Sequence, residues 1–133
     1  MERRRPTPLP PTNRQLSQYI RQHGAEKAAE LMRAFPDAAE GRAVGAGMIL
    51  LQDGEADVAL AHLTLAAKTY PNKAALQDML GQARALTGDR EGALEAYRKA
   101  AELLPGDESV GGLRPYWNHL IEEGLRELGR PDK

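Results

Sequence analysis

From Asn13 onward, apolar positions recur at the three- and four-residue spacing of a helix, and nowhere does a sustained period-two alternation or a run of β-branched residues suggest a strand. Leu16, Tyr19 and Ile20 share one helical face, and Gly24 stops that segment. A short second segment carries Ala28, Leu31, Met32 and Phe35 before Pro36. Helices are then predicted at about 40–52, 57–69, 74–86 and 90–103, punctuated by DGE, YPNK, TGDR and LPGD. Turns this short imply antiparallel hairpins. In the last segment Trp117, Leu120, Ile121, Gly124, Leu125 and Leu128 form one narrow stripe, with Glu122, Glu123, Arg126 and Glu127 off it. Gly129 and Pro131 end this helix, which buries one side and wets the other, as an end cap should. The fold class predicted is all-α.

A shift of 34 residues superposes the chain on itself: Gly47 on Gly81, Gly54 on Gly88, Ala59 on Ala93, Leu60 on Leu94, Ala66 on Ala100, Ala67 on Ala101 and Pro71 on Pro105. Ala and Gly coincide easily in this composition, so placement matters more than identity. In each copy a glycine lies midway along the first helix, a second marks the turn, small residues fill the second helix and proline closes it. Gly47 and Gly81 would let paired helices approach closely, with Leu63 and Tyr97 filling the larger gaps.

That pattern resembles the tetratricopeptide repeat, a helix-turn-helix unit of about 34 residues. Residues 74–107 carry the resemblance through Leu80, Gly81, Ala93, Tyr97, Ala100 and Pro105, and residues 40–73 through Gly47, Ala59, Leu63, Ala66 and Pro71. Gln77 and Arg84 depart from the aromatic positions of the first helix, as do Ala43 and Leu50 in the other copy. The resemblance implies an antiparallel helical hairpin array wound as a right-handed superhelix, with two to three repeats. Residues 13–36 would be a degenerate leading repeat and 115–129 a capping helix. It further implies that the first helix of each repeat lines a concave side: Gly41, Val44, Gly45, Met48 and Leu51 from one copy, and Ala75, Asp78, Met79, Gln82 and Ala85 from the next. Family members that grip a chaperone's C-terminal carboxylate use Lys, Arg and Asn there, and those basic residues are missing here. The expected groove is small and apolar with two methionines, which suits a hydrophobic helix or segment. The chain's own leading or terminal helix is the competing occupant.

The stretch GRAVGAG, residues 41–47, could also be a phosphate loop, but its glycines lack the G-x-G-x-x-G order, no strand precedes them, and no Gly-Lys-Ser/Thr occurs anywhere. The apolar run 43–51 is far shorter than the roughly 20 residues that cross a bilayer. His23, His62 and His119 are scattered, form no H-x-x-x-H pair, and read as surface or helix-flank residues. Ser109 lies in GDESVGG, which is no nucleophile elbow. These patterns support neither catalysis nor a metal or cofactor.

With 133 residues the chain is sized for one domain, and it has no cysteine, which argues weakly for a reducing compartment such as the cytoplasm. Residues 1–12, with four prolines, read as a disordered basic tail. Formal net charge is −1, so no strong field favours nucleic acid, although Arg3, Arg4, Arg5, Arg14 and Arg21 make the leading end basic. Residues 1–35 hold seven Lys or Arg against three Glu, and residues 105–133 hold four against six Asp or Glu, so opposite ends could associate between copies in a homo-oligomer. The expected function is protein–protein interaction: an adaptor, assembly or chaperone-like scaffold binding a partner's peptide or helix. The alternative is the regulatory or oligomerisation segment of a larger enzyme.

Overall fold

The computed structural model describes residues 8–129, and every regular element among them is helical. There are seven α-helices: α1 Asn13–His23, α2 Ala25–Met32, α3 Pro36–Gln52, α4 Ala56–Thr69, α5 Ala74–Leu86, α6 Arg90–Leu103 and α7 Arg114–Gly129. Two short 3-10 stretches, Leu104–Gly106 and Glu108–Leu113, link α6 to α7. No helix among the described residues is long and apolar enough to cross a membrane.

Local chemistry explains most of these boundaries. Thr12 and Gln15 form a reciprocal capping box at the start of α1, satisfying two backbone N–H groups that a bare helix end would leave unpaired. Gly24 sits at φ +92°, which glycine alone adopts cheaply, so one residue suffices to turn the chain from α1 into α2. Pro36 corrects the expectation of a helix from about residue 40. It opens α3 rather than closing the segment before it, since proline is tolerated in a first turn where the N–H has no intrahelical partner. Of the segment 1–12, residues 1–7 lie outside the described part. Pro11 is tied down, its carbonyl accepting from Arg42 Nε at 2.7 Å.

The shift of 34 residues reappears in three dimensions. A Cβ built at Gly47 on α3 would fall 2.8 Å from Leu63 on α4, and one at Gly81 on α5 would fall 2.8 Å from the ring of Tyr97 on α6. The turns between α3 and α4 and between α5 and α6 match in their backbone bonds. Gly54 and Gly88 take φ +76° and +91°, Glu55 N–H donates to Leu50 at 2.9 Å, and Asp89 N–H donates to Arg84 at 2.8 Å. First and last residues of each copy are also joined, by a Lys73–Glu40 ion pair at 3.0 Å in one and by the Ala74 N–H donating to Asp107 Oδ2 at 2.8 Å in the other.

At the centre lies α5, with nine of its thirteen residues buried, because α4, α6, α3 and α7 all pack against it. Leu50, Leu63, Leu76 and Met79 make up the inner core, with Ala46, Ala59, Ala83 and Ala100 at the helix contacts. The leading pair extends the stack at the other end, α1 packing against α3 and α2 against α4. Leu16, Ile20, Ala28 and Met32 are the apolar residues it buries.

Candidate functional site

The face of α3 and α5 expected to line a groove is not open along its length. Gly41 is exposed, with open space where a Cβ would stand, and Val44 is half-buried against the core. A Cβ at Gly45 would overlap the side-chain carboxamide of Asn13, so what comes close there is a side chain of the chain's own leading helix. Met48, Leu51, Met79 and Gln82 do converge, lining one cleft of about 170 Å³. Its opposite wall is the terminal helix, through Tyr116, Trp117 and Leu120. Both terminal helices therefore bear on this face, and what stays open lies between α3, α5 and α7.

Three of the residues expected to line the groove, Ala75, Asp78 and Met79, are buried, and Asp78 has no solvent-accessible surface. In this closed arrangement Asp78 offers no atom to a partner. Its Oδ2 accepts from Gln82 Nε2 at 2.7 Å, while its Oδ1 is buried without a hydrogen-bond partner. Burial pushes the Asp78 carboxyl up to about 7, the bond from Gln82 opposing that rise. Tyr97 faces it from α6, its phenol raised by burial and by the nearby Asp78 charge. The Tyr97 ring is wedged between α5 and α7: a Cβ at Gly124 would lie 2.6 Å from its nearest atom, and one at Gly81 would lie 2.8 Å from it.

A larger cleft, of about 450 Å³, lies between α1, α2, α3 and α4, where the eight residues of α2 are too few to cover α4 along its length. Leu16, Ala28, Ala29, Met32 and Ala66 make it apolar, and Arg33, His62, Thr69 and Tyr70 supply its polar points. His62 corrects the surface reading of the histidines: it is buried, with Nε2 2.8 Å from the Ala43 carbonyl oxygen. The carbonyl can only accept, so Nε2 carries the hydrogen and donates. Burial lowers the His62 pKa, partly offset by that bond, and the ring is neutral at physiological pH. His23 stacks on Tyr19 at 4.5 Å and His119 pairs with Glu123 at 3.4 Å, both on exposed surface as expected.

Sequence reasoning missed Asp107, a buried carboxylate that caps α5 from a distance. Its Oδ2 takes the Ala74 N–H and its Oδ1 takes the backbone N–H of Ser109. Burial raises its pKa, but the bonds from Ser109 and Ala74 and the charge of Lys73 outweigh that and hold it below the ordinary carboxylate range. Asp in the run PGD signals a turn; its reach back to α5, across 33 residues, carries no local pattern. Among the described residues no group of His, Cys, Asp and Glu is arranged to hold a metal ion. No family model, no curated protein and no solved structure matches this chain.

Proposed function

We propose that the chain is a tetratricopeptide-like interaction module, a short superhelical array of helical hairpins that holds an apolar segment of a protein partner. The recurrence of Gly47 against Leu63 and of Gly81 against Tyr97 supports the array. One observation carries the binding site: Met48, Leu51, Met79 and Gln82 converge on a single cleft whose far wall is an amphipathic helix of the chain itself. A face that seats Trp117 and Leu120 has the shape and polarity to seat a partner's aromatic or aliphatic side chains. Gln82 adds one polar point to an otherwise apolar lining, and the flexible thioethers of Met48 and Met79 adapt to what enters.

The test compares two variants in affinity capture from cell extract. Met48→Arg leaves the fold standing, since Met48 is half-buried and the arginine stem can carry its charge to water. It is expected to lose the captured partner while the melting temperature changes little. Ala29→Arg, on the exposed lip of the larger cleft, should retain it. The size of the larger cleft favours a second reading, in which the partner docks there. That reading requires the opposite result, loss with Ala29→Arg and retention with Met48→Arg.

A further inference from the structure

Asp78 of α5 is fully buried near Tyr97 of α6, whose ring packs on α7 at Gly124, and one of its oxygens has no hydrogen-bond partner. Both neighbours that face it lead to the terminal helix. Gln82, which holds its other oxygen, lines the cleft walled by Trp117 and Leu120. Tyr97 lies against Gly124, four residues on from Leu120 along α7.

Among the described residues no cation stands by to balance a charge at this point. Every ionisable residue of α6 except Tyr97 is exposed, as are those of α7 apart from Arg114. The Arg114 guanidinium is taken up by the carbonyls of Leu104 and Asp107, and Arg84 of α5 donates to the Gly92 carbonyl at 3.0 Å. From α3, Arg42 is engaged with Pro11 and Glu40 with Lys73, and from α4, His62 is engaged with Ala43. An unbalanced carboxylate in so dry a place is relieved by admitting water, and one of the three helices must move. α5 is central and α6 is joined to it by a tight turn, whereas α7 hangs from a 3-10 linker in which Gly111 breaks the helical path at φ 50°, ψ −130°.

We propose that α7 is a cap released by ionisation of Asp78: with the carboxyl protonated, α7 stays seated on α5 and α6, and with the carboxylate formed, α7 lifts and bares the Met48–Met79 cleft. The direction follows from linkage. Asp78 is held up to about 7 when α7 is seated, and a hydrated carboxyl titrates near 4. Opening therefore becomes more favourable by about tenfold per pH unit between roughly 4 and 7, and levels off above. The device needs no partner to operate, so it stands or falls separately from the binding reading.

Hydrogen exchange of the full chain, followed helix by helix from pH 5 to pH 8 and corrected for the intrinsic exchange rate, tests it. The protection of α7 amides should fall about tenfold per unit up to pH 7 and then flatten, while that of α1 amides that exchange by local opening, with α7 still seated, stays constant. In Asp78→Asn, or in Asp78→Leu if the amide variant does not fold, the α7 slope should vanish. Three results overturn the proposal: α7 protection that does not change with pH, a slope that survives both substitutions, or a parallel fall in α1 and α7, which is global unfolding rather than release of a cap.

Discussion

The two terminal helices, α1 and α7, lean on neighbouring stretches of the same α3–α5 face, and they are held there by different chemistry. α1 adds a set of polar ties to two buried apolar side chains, Leu16 and Ile20: the Thr12–Gln15 capping box, the Pro11 carbonyl taken by Arg42, and long ion pairs from Arg14 and Arg21 to Asp53 at 3.8 and 3.7 Å. α7 is tied to α6 where Arg90 donates to the Leu128 carbonyl, and the rest of its seat depends on shape. Trp117 and Ile121 are buried, Gly124 lies flat against the Tyr97 ring, and beneath them sits a carboxyl with nothing positive to meet. Polar ties spread over several groups can lose one member and hold. A close-packed seat over a lone buried acid can be lost through one atom or one proton.

Substitutions at the two ends should bring out this contrast. Trp117→Ala should have the largest effect, about 3–5 kcal/mol by chemical denaturation, since it removes the main buried group of α7. The stability difference between Asp78→Asn and the native chain should grow in the variant's favour as pH rises from about 4 to 7. The sign is that of a carboxyl whose folded pKa is raised: the native fold holds the extra proton across that window, so the native chain loses stability as pH rises through it. A shift of about three units makes the change on the order of 4 kcal/mol, read from denaturation curves at several pH values. Gly124→Ala should cost about 1–3 kcal/mol, because its methyl group would enter the buried Tyr97 ring, which has nowhere to turn. Gly45→Ala makes the matched test at α1. The obstacle there is one partly exposed Asn13 side chain, which can rotate away, and the gain in helix propensity of about 0.5–1 kcal/mol offsets the move. Its melting temperature should change little. Smallest of all, Asp53→Asn should cost under about 1 kcal/mol, as both of its partners are long, exposed arginines. If Gly45→Ala proved as damaging as Gly124→Ala, the contrast between the two ends would fail.

Much of the architecture is legible in the chain because it is repetitive and local. Gly24, Gly54 and Gly88 mark turns that need a positive φ, and the spacing of Leu63 and Tyr97 from Gly47 and Gly81 is one close contact written twice. Pro36 misleads because proline both follows helices and begins them, and the residues beside it do not decide which. The stripe holding Met48, Leu51, Met79 and Gln82 is readable from the repeat register, whereas its roof is not, because nothing local in Trp117 or Leu120 says which surface they meet. Asp78 shows the limit most clearly. In helical register it is one polar residue on the expected groove side, and only the arrival of α6 and α7 above it turns that side into interior. Gly41 and Gly45 part company for the same reason, one remaining open and the other lying under Asn13.

Seating of α7 on the α3–α5 face is the central claim, and the chain's composition makes it measurable directly. It has one tryptophan, Trp117, and four methionines, so methyl-labelled methionine gives a spectrum with few signals. At pH 5, nuclear Overhauser contacts between the ε-methyl groups of Met48 and Met79 and the indole protons of Trp117 are the predicted result, since all three line one cleft. A folded, helical chain in which neither methyl group shows a contact to the indole would contradict the account.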